Sequence, residues 1–128
     1  MRILIVDDNA HLRALARVYA EQVGATEIVD VADGGAAVIA AGAVPFDVAV
    51  LDFHMPGMDG LQTTRELLAL QPGLAVVAWT SVLDPAIERA FLEAGAVAHV
   101  PKMDTAGLCR VIRERCPATT EPQAAAAA

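Results

Sequence analysis

VLDFHMPGMDG, residues 50–60, places an aspartate directly after an apolar run and before a turn rich in proline and glycine. Taken alone, Asp52 is compatible with four roles: a turn former, a helix cap, a metal ligand or a nucleophile. A carboxylate at the end of a buried run costs free energy unless partners compensate for its lost hydration. The positions of the other polar residues therefore decide which role Asp52 has.

The composition limits the class of protein. The chain has 128 residues, of which 55% are hydrophobic and 20% charged, a balance typical of one globular domain. A net charge of −7 disfavours contact with nucleic-acid phosphates, so we expect no direct binding of nucleic acid. No apolar run reaches the roughly 20 residues that cross a bilayer, and acidic residues begin too early for a signal peptide. The sequence predicts a cytoplasmic protein that does not enter membranes.

Apolar runs alternate with segments of helical periodicity. The apolar runs predict five strands, over residues 2–6, 26–32, 46–51, 74–79 and 97–100. The clearest helical stripe consists of Leu12, Leu15, Ala16, Tyr19 and Val23. Strands that alternate with helices form βαβ units, which favours an α/β fold with a parallel sheet and helices on both faces.

Residues typical of helix ends support these boundaries. Asp33, Asp84 and Asp104 are predicted N-caps, and Gly24 and Gly95 follow helical segments as C-terminal glycines do. The fifth helix is predicted over about residues 105–116.

Polar residues follow four of the five predicted strands. Asp7 and Asp8 come after the first strand, and Asp52 ends the third. Thr80 ends the fourth strand, and Lys102 follows the fifth. Because parallel strands share one carboxyl edge, where open α/β sheets bind their ligands, we expect these side chains to meet there.

The residue types at this edge indicate a cation and an anion. Three clustered carboxylates repel one another unless a cation joins them, and oxygen ligands favour Mg²⁺, Mn²⁺ or Ca²⁺ over zinc. A lysine and a hydroxyl suit the oxygens of a phosphate group. A carboxylate held between the cation and the groups that bind phosphate can attack phosphorus. Asp52 is the best-placed nucleophile because it lies between the acidic pair and the residues Thr80 and Lys102 in strand order.

Four segments of the sequence resemble the receiver domain of bacterial two-component response regulators, a family that includes chemotaxis regulators. They are LIVDDN at 4–9, DFHMPGMDG at 52–60, AWTS at 78–81 and EAGAVAHVPK at 93–102. The resemblance covers about residues 1–116. It implies a flavodoxin-like, doubly wound sheet of five parallel strands in the order 2-1-3-4-5, with five helices. Residues 117–128 are predicted to be a disordered tail or a linker.

The resemblance also implies roles for the acidic residues. Asp52 is expected to accept a phosphoryl group from a sensor histidine kinase or a phosphotransfer protein. Asp8 is expected to bind Mg²⁺ directly, with Mn²⁺ as an alternative, and Asp7 partly through water. Asp52 and the backbone carbonyl of His54 complete the implied ligands.

The remaining implied roles concern the phosphoryl group and the switch. Thr80 is expected to donate a hydrogen bond to the phosphoryl group, and Lys102 to pair with it. Thr80 and His99 occupy the positions that move together in the family and change the surface of the fourth helix, fifth strand and fifth helix. An output domain or a partner protein reads that surface, and a homodimer formed on phosphorylation remains open.

The sequence departs from the family pattern in two places. Met103 follows the lysine where the family often has proline, and Pro101 precedes it. Pro101 lacks an N–H group, which an edge strand tolerates. His99 stands where many members have tyrosine or phenylalanine, so its switching role is open.

Alternatives concern the chemistry and the domain context. An aspartyl phosphohydrolase of the haloacid dehalogenase type needs a D-x-D signature after the first strand, where this chain has Asp7, Asp8 and Asn9. A docking module without phosphorylation would not need the complete set of acidic residues and lysine. We therefore expect no enzyme acting on an external substrate. The chain is either a stand-alone regulator or the N-terminal part of a DNA-binding one, and Cys109 and Cys116 are interpreted as reduced thiols.

Overall fold

The computed structural model describes residues 1–115, which form five strands and five helices in alternation. The strands are β1 (Arg2–Val6), β2 (Glu27–Val31), β3 (Val48–Leu51), β4 (Ala75–Thr80) and β5 (Ala98–Pro101). The helices are α1 (Ala10–Gln22), α2 (Gly34–Ala43), α3 (Gly60–Leu70), α4 (Pro85–Ala94) and α5 (Thr105–Glu114).

The five strands form one parallel sheet in the order β2-β1-β3-β4-β5. The predicted flavodoxin-like, doubly wound architecture with five helices is therefore confirmed. Val6 of β1 is in register with Leu51 of β3, and Thr80 of β4 with Pro101 of β5. This register aligns the carboxyl ends of the four strands that carry the predicted site.

Side chains alternate along the strands between two hydrophobic layers. Ile3, Ile5 and Trp79 belong to the layer that contains the buried residues of α1 and α5. Leu4 and Val6 belong to the other layer, with buried residues of α2, α3 and α4. Because both faces of the sheet are covered, the three central strands β1, β3 and β4 are almost entirely apolar.

Four of the predicted strands differ from the structure by one or two residues at an end. β3 was predicted from residue 46 but starts at Val48, and the N–H of Phe46 donates to the side-chain Oε1 of Gln71 at 2.8 Å. Asp47 still has backbone partners, because its N–H donates to the carbonyl oxygen of Arg2 at 2.9 Å and its own carbonyl accepts the N–H of Ala75 at 3.2 Å. β2 covers residues 27–31, β4 residues 75–80 and β5 residues 98–101, each one residue away from the prediction at its ends.

The predicted helix ends are mostly confirmed. Asp33, Asp84 and Asp104 each accept an N–H from the first turn of their helix. The helix α5 ends at Glu114, before the predicted 116, because Arg115 has left helical geometry and acts as its C-cap. Residues 117–128, the predicted tail, and Cys116 lie outside the described residues, whereas Cys109 is half-buried on α5.

The apolar stripe of α1 is only partly buried. Ala16 and Val23 lie in the core, but Leu15 is 37% exposed and Ala20, outside the predicted stripe, is 1% exposed. The small residues Ala16 and Ala20 are the ones that α1 buries fully, so the helix lies close to the sheet.

The edge position of β5 explains the proline at its end. Pro101 is the last residue of β5, which has β4 as its neighbour in the sheet. Beyond it, the N–H of Lys102 donates to the carbonyl oxygen of Thr80 at 3.1 Å. Among the helices of residues 1–115, none combines the length and apolar character needed to cross a membrane.

Two glycines provide a matched test of packing at the start of α3. A Cβ at Gly60 would clash with the carbonyl oxygen of Asp52 and lie 2.9 Å from Cα of Phe53, whereas one at Gly42 would meet no atom within 4 Å. We expect Gly60→Ala to lower the free energy of unfolding by about 1–3 kcal/mol. Gly42→Ala should raise it by about 0.5–1 kcal/mol. Urea unfolding followed by circular dichroism measures both, and equal effects would contradict this packing.

Candidate functional site

The backbone fixes Asp7, Asp52 and Thr80 at the carboxyl edge of the sheet. The N–H of Asp7 donates to the carbonyl oxygen of Val31 at 3.2 Å, and the N–H of Asp52 donates to that of Val6 at 3.1 Å. Thr80 is the last residue of β4. Backbone hydrogen bonding between strands thus continues one residue past β1 and β3, so the backbone that carries these side chains is held in place.

Three carboxylates meet at this edge. Asp7, Asp8 and Asp52 each present an oxygen atom, and these atoms all lie within 4.8 Å of one another. Asp7 is 1% exposed and Asp52 is 7% exposed, whereas Asp8 faces solvent. The structure therefore brings together the acidic residues that the sequence singled out.

Lys102, the only lysine in the chain, joins two of the carboxylates. Its Nζ lies 2.6 Å from Oδ2 of Asp7 and 3.4 Å from Oδ2 of Asp52. The same Nζ lies 5.5 Å from the ring centroid of Trp79, the only tryptophan, which is buried in the layer beneath. This contact to the face of an aromatic ring is of the cation–π kind.

Burial raises the pKa of the Asp52 carboxyl above its usual range. The Lys102 ammonium opposes this rise in pKa, and the neighbouring charge of Asp7 adds to it. The backbone N–H of Phe53 and the hydroxyl of Thr80 favour the ionised form. Thr80 is fully buried, and its Oγ1 also accepts the N–H of Val82 at 3.1 Å.

The donor set fits a divalent cation that prefers oxygen ligands. Three carboxylates share a single ammonium group within this cluster, so negative charge exceeds positive charge when all are ionised. Such a cluster favours Mg²⁺ over metals that prefer nitrogen or sulfur ligands.

The two histidines among the predicted site residues, His54 and His99, differ in burial. His54 is exposed, and its ring centroid lies 4.6 Å from that of Phe53; the role of its carbonyl group stays a prediction. His99 is half-buried and lies 6.1 Å from the buried ring of Phe91. Its Nε2 is buried without a hydrogen-bond partner among residues 1–115.

Two residues that hold the loop of Asp7 and Asp8, called the acidic loop below, were not predicted as site residues from the sequence. Asn9 donates its N–H to Oδ1 of Asp7 at 2.9 Å and caps α1. Arg13 donates from Nη1 to the carbonyl oxygen of Asp7 at 2.8 Å. Asn9 is recognisable as an N-cap from its residue type, but no periodic pattern marks Arg13.

The raised pKa of Asp52 predicts a cost to stability at neutral pH. Folding favours the protonated form of this carboxyl, so its contribution to stability is present at low pH and is lost as the pH rises through the raised pKa. Without divalent cations, Asp52→Asn should therefore increase the free energy of unfolding at pH 7. The difference from wild type should shrink on acidification. Urea titrations in EDTA from pH 4 to 7 measure it, and a variant less stable at pH 7 would contradict this electrostatic cost.

Comparison with known proteins gives a consistent result. The family model described as the response regulator receiver domain matches residues 3–113. A protein-glutamate methylesterase/protein-glutamine glutaminase of Azospirillum brasilense is 41% identical over 107 residues, which cover 80% of this chain and 27% of that protein. The chain spans about a third of the length of the methylesterase relatives that it matches, or less.

Two further relatives match over most of their length. A two-component response regulator of Oryza sativa subsp. japonica is 33% identical over 99 residues, which cover 75% of this chain and 78% of that protein. The solved receiver domain of a Pseudomonas aeruginosa sensor histidine kinase has a magnesium ion coordinated in its active-site cleft. It is 28% identical, with a TM-score of 0.78 and coverage of 88% of this chain and 94% of that one. The chain belongs to the response regulator receiver domain family.

Proposed function

We propose that this receiver domain is a phosphorylation switch whose phosphoacceptor is Asp52. The observation that carries the proposal is the buried carboxylate of Asp52, which lies beside Asp7 and Asp8 after β1 and 3.4 Å from the ammonium of Lys102. The phosphoryl donor is a sensor histidine kinase or a phosphotransfer protein in the cytoplasm. The domain promotes its own phosphorylation and turns over no external substrate.

The acidic cluster would hold Mg²⁺, with Mn²⁺ as an alternative. The ligands would be the carboxylates of Asp7, Asp8 and Asp52 and the backbone carbonyl of His54. When bound, the cation supplies positive charge that offsets the repulsion among the carboxylates and the charge on the phosphoryl oxygens. The magnesium ion in the Pseudomonas receiver supports this assignment.

The reaction joins a carboxylate oxygen of Asp52 to phosphorus. The bond from phosphorus to the donor's imidazole nitrogen breaks, and its electron pair stays on that nitrogen, so an acyl phosphate forms. Lys102, already 3.4 Å from Asp52, neutralises the phosphoryl oxygens, and the hydroxyl of Thr80 donates a hydrogen bond to them. Burial of Asp52 limits access of water to the product.

The change at the acceptor must reach the surface formed by α4, β5 and α5. Phosphorylation favours the conformation in which Thr80 contacts the phosphoryl group, which shifts the population of states. His99 on β5 packs near Phe91 of α4, which in turn lies 6.0 Å from Phe53, beside the acceptor. An output domain, DNA-binding or other, a partner protein or a second copy would read this surface.

Phosphorylation by a small-molecule donor tests the acceptor. With acetyl phosphate and Mg²⁺, the wild-type chain should gain the mass of one phosphoryl group, and EDTA should prevent this gain. Asp52→Asn should remove it because an amide cannot act as the nucleophile. Intact-protein mass spectrometry makes the measurement.

Asp59→Asn is the matched control. Asp59 caps α3 by accepting the N–H of Gln62, and asparagine caps a helix as well as aspartate does. This variant should be phosphorylated like the wild type. Labelling that persists in Asp52→Asn would show that the phosphoryl group resides elsewhere.

Lys102 should couple phosphorylation to a conformational response. Its ammonium lies against the only tryptophan, so movement of Lys102 toward a phosphoryl group should change the fluorescence of Trp79. We expect Lys102→Met to retain part of the phosphorylation but to lose most of this change. The comparison is made per phosphorylated molecule, and an equal change in both proteins would argue against the coupling role.

A further inference from the structure

Arg13 contacts the backbone of the acidic loop from outside the cluster. It lies in α1, and its Nη1 donates to the carbonyl oxygen of Asp7 at 2.8 Å. The side chain is 22% exposed, so most of it is removed from water. A charged donor that is largely buried makes a stronger hydrogen bond than a neutral one.

Asp30 of β2 holds Arg13 in place. Nε of Arg13 lies 3.9 Å from Oδ1 of Asp30. The same carboxylate accepts a hydrogen bond from Nε of Arg17 at 3.0 Å and lies 3.0 Å from Nη2 of Arg17 in an ion pair. Nη2 of Arg17 donates to the carbonyl oxygen of Ile28 at 3.3 Å. The two arginines therefore share one partner, but only Arg13 reaches the acidic loop.

The bond to the Asp7 carbonyl orients the next residue. A peptide group is planar, so the direction of the Asp7 carbonyl also sets the direction of the Asp8 N–H and the position of its Cα. Asp7 is held at three other points, through Val31, Asn9 and Lys102. Asp8 is the exposed member of the cluster, and this peptide group is one of the two that set its position. The other carries the N–H of Asn9, which donates to Oδ1 of Asp7.

We infer that Arg13 is a positioning residue for the cation site: by fixing the Asp7–Asp8 peptide group, it orients the carboxylate of Asp8 toward a bound Mg²⁺. The inference rests on the proposed function, which assigns the cation to this cluster. A positioning role and a purely electrostatic role of Arg13 predict opposite changes in Mg²⁺ affinity when Arg13 is replaced. As a nearby positive charge alone, Arg13 would repel Mg²⁺ and its removal would tighten binding. As a positioning residue, its removal weakens binding.

Unfolding in urea at a series of Mg²⁺ concentrations separates these effects. Binding to the folded state adds RT ln(1 + c/Kd) to the free energy of unfolding, where c is the concentration of free Mg²⁺. The titration therefore yields a dissociation constant and the cation-free stability from the same data, with no phosphorylation required. The variant is Arg13→Met, which keeps an apolar stem, and the matched control is Arg17→Met on the same helix.

Arg13→Met should weaken Mg²⁺ binding by roughly tenfold, as for other residues that orient metal ligands. Arg17→Met should lose stability through its ion pair but keep the wild-type affinity. Arg13→Lys, whose ammonium can still donate to a carbonyl, should recover affinity to within about threefold of wild type. It also serves if the methionine variant does not fold.

Three results would overturn the inference: an unchanged affinity in Arg13→Met, a tighter one, or an equal loss in Arg17→Met. A wild-type chain that gains no stability from Mg²⁺ would instead contradict the proposed function. The two failures are thus distinguishable.

Discussion

Two buried carboxylates that share one ammonium group form the constraint on which the site depends. Asp7 and Asp52 are almost fully buried, and a cavity lined by carboxylates would normally be neutralised by protonation. Lys102 contacts both of them, which lessens their repulsion without abolishing it. In the proposed function, the remaining excess of negative charge attracts a divalent cation, and the carboxylate of Asp52 is the nucleophile. The carboxylates that repel one another in the folded state are thus the groups that this proposal uses.

The sheet can hold these charged side chains close together because hydrophobic contacts on both of its faces keep the strands rigid. Apolar strand residues alternate between two layers of buried side chains. Asp7, Asp52, Thr80 and Lys102 lie at or directly after the end of a strand, where the backbone is still hydrogen-bonded to a neighbouring strand. The functional groups thus belong to loops whose first residue is fixed. Positions beyond that first residue, such as Asp8, depend on side chains like that of Arg13.

Much of the fold and of the site could be predicted because both follow local rules. Apolar runs located the strands, and the carboxyl-edge rule for parallel sheets grouped Asp52 with Lys102, fifty residues apart; the strand order came from the family resemblance. The predicted start of β3 at residue 46 was wrong because the N–H of Phe46 donates to the side chain of Gln71, from another part of the chain. Leu15 belongs to the apolar stripe predicted for α1 but is 37% exposed, whereas Ala20, outside that stripe, is buried. Such tertiary contacts leave no periodic signal in the sequence.

The bond between Lys102 and Asp7 spans 95 residues and joins the first strand of the sheet to the end of the last. The entropy of closing so long a loop must be offset before the bond can form, and contacts of this separation slow folding. The site therefore assembles only once the edge strand has docked beside β4. A partly folded chain would present Asp52 without its lysine, so the contacts of Lys102 with Asp7 and Asp52 report that β5 has joined the sheet.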